Sequence, residues 1–399
     1  MRGTALWKKI ISSNLVIIAA VFGFEILAEG ILEPILPLYL TSIGIAPKIL
    51  GLMFSVGWLG MIISESFWGW TADKIGAKIP LSIGTFISGL MVFCFVLVRG
   101  VPTIFTIFLL WGIARSAIWG PSRGYIGVNI HSSKKTSYMA FLNSIMMASL
   151  CLGMLPSGFI VDTWGYPQAF DISCGVSILA GIILVIGLKA IPWVKRQSPA
   201  ASHELTEKFS SKGKADGYRP IAILCAVTAL LHLGLGISFA FLPLMATQVV
   251  GVTAAEVGIL FTFFGLSATL AIPIAILADR WSKKPFMIFG LLASASGLTG
   301  IAFATNFPWL VAFAIVLGLG YTTFNSVALS LLSHKISLRR QSTAMGFYGA
   351  IGENTGIMAG AALGGFVWSA WGPQATFLIG PVACTLGIII CLGFVKNKV

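Results

Sequence analysis

The sequence predicts an all-α integral membrane protein in which twelve transmembrane helices form two pseudo-symmetric bundles of six. Three observations support this fold class. Of the 399 residues, 57% are hydrophobic and 10% are charged, and the mean hydropathy is +0.94, whereas about 25% of the residues of a soluble domain are charged. Apolar runs of about 20 residues, long enough to cross a bilayer, recur along the whole chain. The two halves of the chain also repeat one another.

The internal repeat is clearest in a short hydrophilic motif that follows an apolar run. Residues 69–78 read GWTADKIGAK, and residues 275–284, at an offset of 206, read AILADRWSKK. At an offset of 207, the pair Trp164-Gly165 corresponds to Trp371-Gly372. The chain is therefore interpreted as a duplication of one helical unit.

The duplication defines the predicted domains and helices. Residues 1–190 form the N-terminal bundle, residues 220–399 form the C-terminal bundle, and the hydrophilic segment 191–219 is a flexible linker between them. The predicted helices 1 to 6 span 14–40, 49–71, 80–98, 103–128, 138–161 and 168–190. Helices 7 to 12 are predicted at 220–247, 256–278, 285–304, 308–333, 343–367 and 374–395.

The distribution of basic residues predicts the orientation of the helices. With the N-terminus inside, 22 of the 26 Lys and Arg residues lie in cytoplasmic segments, as the positive-inside rule requires. Lys48 and Arg99 lie outside, and Arg115 and Arg123 lie within helix 4. The net charge of +13 is then explained by topology and by contact with anionic lipids, so it does not indicate a nucleic-acid partner. We expect a multi-pass protein of the plasma membrane, the inner membrane of a prokaryote, with both termini cytoplasmic.

Carboxyl groups inside the predicted spans mark a candidate site, because a charge at the bilayer centre costs about 2.5–3.5 kcal/mol. Glu25, Glu29 and Glu33 are spaced four residues apart on helix 1 and therefore share one stripe. Ionised carboxylates at this spacing repel one another, so at least one of the three is expected to hold a proton near neutral pH. A proton-coupling site needs this property. For Glu33, solvation at the outer mouth of the cavity is the alternative.

Arg115 is the predicted partner of this acidic stripe. It lies near the middle of helix 4, at a depth similar to that of Glu25, and a buried guanidinium requires a carboxylate or several carbonyl groups. We predict that Arg115 pairs with Glu25 or Glu29 and that these three residues couple protons. For His232 on helix 7, a purely structural role is the alternative to proton relay. The further cavity and substrate candidates are in-membrane acids, aromatic residues and polar residues: Glu33, Glu65, Trp58, Trp111, Trp119, His232, Tyr321, Asn325 and Glu353.

The repeated hydrophilic motif is a candidate gate. Asp73 ends helix 2 before a tight turn at Gly76, and the nearby lysines can pair with its carboxylate or with backbone carbonyl groups. A charge cluster of this kind can hold the two halves together on one side of the membrane. The alternative is a static anchor that only fixes the topology. The gating residues are Gly69, Asp73, Lys74, Gly76 and Lys78 in the first copy and Asp279 and Arg280 in the second.

The twelve helices, the central linker and the motif Gly-x-x-x-Asp-(Lys/Arg)-x-Gly-x-Lys at 69–78 resemble the major facilitator superfamily of secondary transporters. Within it, the layout is most similar to the twelve-helix drug/proton antiporters. The resemblance implies that helices 1, 4, 7 and 10 surround a central cavity that collects Glu25, Glu29, Arg115, His232 and Asn325.

The leading functional prediction is a proton-coupled secondary transporter that exports hydrophobic or cationic small molecules by alternating access. The alternatives are a proton symporter of a nutrient, such as a sugar or an organic acid, and a lipid or lysolipid transporter. The expected partners are a small-molecule substrate, protons and membrane lipids, with no nucleic acid, and the protein is expected to be a monomer. The proton gradient is the expected energy source and no cofactor is predicted. The sequence shows no nucleotide-binding loop, metal cluster or nucleophile triad, so an enzyme is not expected.

Overall fold

The computed structural model describes residues 2–129, 132–188, 215–280, 282–335 and 348–394, and these residues form helices and short connections with no strand among them. The N-terminal half contains helix 1 (Arg2–Leu32, continued by Leu36–Ser42), helix 2 (Pro47–Ile75), helix 3 (Lys78–Leu97), helix 4 (Val101–Asn129), helix 5 (Ser132–Trp164) and helix 6 (Tyr166–Gly187). The C-terminal half contains helix 7 (Ala215–Leu244, continued by a π-helix at Met245–Val250), helix 8 (Ala254–Arg280), helix 9 (Lys283–Ala302) and helix 10 (Phe307–Lys335). It ends with a π-helix at Tyr348–Asn354 and a long helical segment at Thr355–Phe394.

The described helices account for twelve membrane crossings. Ten helical segments are long and apolar enough to span a bilayer. The last of them is two spans, because Gly372 has φ +86° and interrupts the helix between residues 348–371, helix 11, and residues 373–394, helix 12. Helix 8, with 27 residues, supplies the remaining crossing. The predicted all-α membrane architecture is confirmed, while most of the predicted linker lies outside the described residues.

Helix 1 differs from its prediction as a continuous span over 14–40. It stops at Leu32 and resumes at Leu36, with Glu33 in the turn between the two parts. Proline explains the break, since Pro34 and Pro37 have no N–H group to donate and their rings crowd the preceding turn. The break sets Glu33 apart from the regular stripe that carries Glu25 and Glu29.

The duplication is visible in the turns between helices. Gly44 and Gly251, which are 207 positions apart, have φ of +88° and +82°, and each follows the first helix of its half. Gly165 and Gly372 have the same spacing, with φ of +91° and +86°, and each precedes the last helix of its half. Because glycine adopts this backbone conformation without strain, the equivalent turns of the two halves have the same geometry.

The two bundles meet along two helix pairs, helix 2 with helix 11 and helix 5 with helix 8. We call the membrane face that carries the N-terminus inner and the opposite face outer. In the first pair, Ser55 donates a hydrogen bond to the Met358 carbonyl at 2.7 Å, and Gly51 packs against the Ala361 carbonyl. In the second pair, Gly158 packs against the backbone of Ala254. These contacts lie toward the outer ends of the four helices, so the bundles are closed against each other on the outer side.

Candidate functional site

A narrow cavity lies inside the N-terminal bundle between helices 1, 3, 4 and 6. Its volume is about 10 Å³, close to the smallest space that holds one water molecule. The polar and aromatic side chains that line it come from all four helices. They are Glu25, Glu29, Ser88, Trp111, Arg115, Trp119, Ser173 and Ser177.

Arg115 forms an ion pair with Glu29 in this cavity, through its Nη2 atom and the Oε1 atom of the carboxylate. The side chains of Arg115 and Glu29 are 14% and 16% exposed. The guanidinium carbon lies 4.9 Å from the ring centroid of Trp111 and 5.4 Å from that of Trp58, within the range of a cation–π interaction. The sequence left the partner of Arg115 open between two acids, and in the structure it is Glu29.

Glu25 has a different environment, although it lies one helical turn from Glu29. Its side chain is buried, and its Oε2 atom accepts a hydrogen bond from Ser177 at 3.3 Å. Its Oε1 atom is buried without a hydrogen-bond partner. Glu25 forms no ion pair with any residue that the structure describes. The cavity therefore holds one paired carboxyl group and one carboxyl group whose described partners are neutral.

The other candidates of the N-terminal bundle are arranged around this cavity at different distances. Trp119 lines it and packs edge-on against Phe22, with ring centroids 5.4 Å apart. Glu33 in the break of helix 1 and Glu65 on helix 2 are partly exposed and are not part of the lining. Of the three acids of helix 1, Glu25 and Glu29 therefore line the cavity and Glu33 does not.

A second polar cluster lies inside the C-terminal bundle, around His232 on helix 7. The imidazole is fully buried, its Nδ1 atom lies 2.8 Å from the Thr228 carbonyl oxygen, and its Nε2 atom has no partner. The ring of Tyr321 packs against it in a T-shaped geometry with centroids 5.1 Å apart. The hydroxyl of Thr228 donates to that of Tyr348 at 3.0 Å, which donates to Asn325 at 3.1 Å.

Glu353 belongs to the same cluster. It lies in the π-helical turn Tyr348–Asn354, which also supplies Tyr348 to the cluster, and it is partly exposed. The following turns of helix 11 press against helix 7, because Gly356 contacts the backbone of Ala229. The structure therefore places most of the predicted cavity residues in one polar cluster inside each bundle.

The first copy of the hydrophilic motif ends helix 2 and begins helix 3. Gly76 has φ +87°, and its N–H group donates to the Ala72 carbonyl at 3.0 Å, which makes the tight turn. The Nζ atom of Lys74 lies 3.9 Å from the ring centroid of Trp70. Gly69 has open space where a side chain would extend. The side chain of Asp73 lies outside the described part of the structure.

Lys78 connects this motif to helix 6. Its Nζ atom donates to the carbonyl groups of Val185 and Leu188, each at 2.8 Å. In the second copy, Lys284 makes the equivalent contact, since it donates to the Leu392 carbonyl at 2.8 Å. Both lysines thereby neutralise the partial negative charge at the end of the last helix of their half. The side chains of Asp279 and Arg280 are not among those described.

Sequence analysis missed several residues of the two clusters, including Ser88, Ser177, Thr228 and Tyr348. Serine and threonine give little signal in a membrane helix, because they commonly bond to the carbonyl four residues earlier. Thr85, for example, donates to the Leu81 carbonyl at 2.8 Å and serves no cluster. Only the packing of the helices shows whether a hydroxyl group bonds within its own helix or belongs to a polar cluster.

The predicted gating role of the motif is tested by Asp73→Asn. We expect a normal amount of protein in the membrane but a fall in the transport rate of about tenfold. A tenfold fall corresponds to a loss of about 1.4 kcal/mol of stabilisation from one conformation of the transport cycle. Expression and initial transport rate are measured separately on the same membranes. Asp171→Asn, an exposed acid at the outer end of helix 6, is the matched control. A normal rate in Asp73→Asn would leave only the anchoring role.

Two six-helix bundles that meet through glycine-rich contacts and each bury a polar cluster at membrane depth define a two-bundle membrane transporter. The sequence profile of the Major Facilitator Superfamily matches residues 18–222 and 224–399. The chain belongs to this superfamily. Its family and fold point to a multi-pass membrane transporter of small molecules.

Curated relatives and solved structures agree with this assignment. The chain is 23% identical over 394 residues to the multidrug resistance protein MdtG of Escherichia fergusonii, covering 93% of this chain and 91% of the relative. It is 22% identical over 344 residues to the quinolone resistance protein NorA of Staphylococcus aureus, covering 84% and 86%. The nucleoside transporter NupG has the same fold, with a TM-score of 0.77, 17% identity and coverage of 96% of this chain and 99% of that chain.

Proposed function

We propose that the protein is a proton-coupled secondary transporter that exports hydrophobic or cationic small molecules by alternating access. The observation that carries the proposal is the pair of unlike carboxyl groups in the N-terminal cavity. Glu29 has Arg115 as its cation, while Glu25 is buried with neutral partners. Burying an unpaired carboxylate in a membrane is costly, and binding a proton removes that cost. Glu25 is therefore the proposed carrier of the coupling proton.

The proposed substrate class rests on the charge and the aromatic lining of the same cavity. In a conformation of the cycle that widens this cavity, a carboxyl group that has released its proton becomes a partner for an organic cation, with the rings of Trp111 and Trp119 beside it. Proton and substrate then compete for one charge, which is the requirement for antiport. The multidrug and quinolone resistance proteins among the relatives support this substrate class.

Alternating access is proposed from the packing of the bundles. The contacts between helices 2 and 11 and between helices 5 and 8 close the outer side, so release to that side requires these contacts to separate. Two bundles that pack internally and are joined by a linker are expected to rock as units around a site near the midplane. Export driven by protons that enter down their gradient requires an energised membrane. We therefore propose the plasma membrane, the prokaryotic inner membrane, as the location, and a monomer with both termini cytoplasmic.

A proton symporter of a nutrient is the second candidate. The hydrogen-bonded hydroxyl and amide groups of Thr228, Tyr348 and Asn325 are the observation that favours it, since such groups recognise polar solutes. The nucleoside transporter NupG, which has the same fold, supports this alternative at the level of fold alone. A lipid or lysolipid transporter remains the third candidate on the basis of the apolar lining.

The test is a transport assay in proteoliposomes with an imposed pH gradient. The panel contains ethidium, a radiolabelled sugar, a nucleoside and a fluorescent lysolipid, and nigericin, which collapses the gradient, is the control. We expect ethidium to accumulate on the acidic side only while the gradient persists. Gradient-driven movement of the sugar or the nucleoside together with protons, without movement of ethidium, would contradict drug export and establish symport. Ethidium movement that is unaffected by nigericin would contradict proton coupling.

A further inference from the structure

A larger cavity opens at the outer face, between the two bundles and away from the site described above. Its volume is about 540 Å³, a size typical of sites for small organic ligands. Helices 1, 5 and 6 of the N-terminal bundle and helices 7 and 8 of the C-terminal bundle all contribute to its wall. The lining residues are Leu38, Thr41, Ser42, Val161, Asp162, Tyr166, Thr247, Gln248 and Ala254. The cavity has this wall only while the two bundles are closed on the outer side.

The wall of this outer cavity carries one negative charge and no positive side chain among its lining residues. Asp162, at the end of helix 5, accepts a hydrogen bond at 2.8 Å from the backbone N–H group of Ala255 in the first turn of helix 8. Glu256 occupies the same helix end, where its carboxylate accepts the N–H group of Thr253 at 2.8 Å. A helix N-terminus offers about half a positive charge, so the full charge of Asp162 leaves an excess of negative charge on the wall of the cavity.

The remaining polar groups of the cavity are hydroxyl, phenol and amide groups. Thr247 and Gln248 lie in the π-helical end of helix 7, Met245–Val250, which alters the direction of the side chains in its last turn. π-helical turns are rare in soluble and membrane helices and frequently occur at functional sites. Together with Thr41, Ser42 and Tyr166, these residues give the wall that carries Asp162 several acceptors for N–H donors.

We propose that the outer cavity is a binding site for a small hydrophilic organic cation with several N–H donors, and that its occupancy holds the outer side of the transporter closed. The cation lies against the Asp162 carboxylate, donates to the surrounding oxygen atoms and packs against the ring of Tyr166. Because both bundles form the wall, the ligand binds the closed arrangement and loses its site when the bundles separate. The site itself rests on this geometry, whereas inhibition of transport rests on the proposed alternating-access function.

The size of the effect follows from linkage. A ligand that binds one of two conformations favours that conformation by a factor of one plus the ratio of its concentration to its dissociation constant. At about 100 times the dissociation constant, the population ratio of closed to open outer ends rises about 100-fold. The outer cavity is then an inhibitory site that is reached from the side on which an exported substrate is released.

The experiment uses the full chain in lipid nanodiscs and benzamidine, a permanently charged amidinium at neutral pH, as the probe. Binding is measured by isothermal titration calorimetry for the wild type, Asp162→Asn, Gln248→Leu and Glu256→Gln. We expect affinity to fall at least about tenfold in Asp162→Asn, because charge-assisted hydrogen bonds are about twice as strong as neutral ones. Gln248→Leu should weaken binding about threefold through the loss of one hydrogen bond. Glu256→Gln, at the same helix end but not in the lining, is the matched control and should bind as the wild type does.

Closure is measured in the same nanodiscs by electron–electron spin distances between Val101→Cys on helix 4 and Trp309→Cys on helix 10. Both positions are exposed at outer helix ends, and the six native cysteines are replaced. Benzamidine should narrow the distance distribution toward the closed arrangement in the wild type and have no effect in Asp162→Asn. Absence of saturable binding, equal affinity in Asp162→Asn, or a shift toward longer distances would each overturn the proposal. Neither measurement requires transport. The binding site can therefore be tested even if the proposed transport function is wrong.

Discussion

Proteoliposomes that contain Glu25→Gln should show no proton-driven accumulation of substrate above that of protein-free liposomes. The glutamine has nearly the same shape as a protonated glutamate and keeps an acceptor for Ser177, but it cannot release or bind a proton. Because the amide resembles the protonated, neutral state, it offers no charge to an organic cation. Exchange of ethidium without a gradient should therefore weaken, while exchange of a neutral hydrophobic substrate should survive. Accumulation is measured with an imposed pH gradient, and exchange is measured at equal pH on both sides. Asp171→Asn removes an exposed carboxyl group and should leave both activities unchanged.

The neighbouring ion pair should respond differently to substitution. Removing one partner of a buried pair leaves an uncompensated charge and costs about 3–5 kcal/mol, whereas removing both partners is often nearly neutral. Arg115→Ala and Glu29→Gln should therefore each reduce folded protein and transport severely, and the double variant should recover much of the folded protein. Thermal stability in detergent and accumulation are measured for the wild type, the two single variants and the double variant.

Proton-driven accumulation in Glu25→Gln equal to that of the wild type would transfer the coupling role to another acid, with Glu65 and Glu353 as the next candidates.

Replacing Gly158 by alanine should prevent the outer side from closing. A methyl group on Gly158 would overlap the carbonyl group of Ala254, so helices 5 and 8 must separate to accommodate it. A backbone carbonyl cannot move aside as a flexible side chain does, and overpacking of a tight contact costs about 1–3 kcal/mol or more. We expect loss of transport, together with longer spin distances between the outer ends of helices 4 and 10.

Gly175→Ala is the control for this substitution, since Gly175 lies in helix 6 with open space where its side chain would extend. It should transport normally and keep the distances of the wild type. Normal transport by Gly158→Ala with an unchanged distance distribution would show that the contact between helices 5 and 8 is not needed for closure.

The architecture could be predicted from the sequence because each membrane helix needs its own run of about 20 apolar residues, and such runs are seen directly in the hydropathy of the sequence. The break in helix 1 had a signal in Pro34 and Pro37, although the span was predicted as continuous. The close approach of helix 11 to helix 7 also had a signal, in the four-residue spacing of Gly352, Gly356 and Gly360.

The division of roles between Glu25 and Glu29 could not be read from spacing. Both acids lie on one stripe of helix 1, and the rotation of helix 4 determines which of them meets Arg115. The outer contact of Asp162 was equally hidden, since it depends on the position of helix 8 in the other bundle. The grouping of candidate residues into one polar cluster inside each bundle was hidden as well, since it depends on how the helices of that bundle pack.

The equivalent contacts of Lys78 and Lys284 belong to the features that the two halves of the chain share. A feature present at equivalent positions in both halves is most simply an inheritance from the ancestral single bundle, as are the turn glycines at 44 and 251. At the offset of 206, which aligns Leu36-Pro37-Leu38 with Leu242-Pro243-Leu244, Glu25 and Glu29 correspond to Leu231 and Leu235, and Arg115 corresponds to Tyr321. The two halves therefore share the frame of the bundle but not its buried charges, and their chemistry diverged after the duplication.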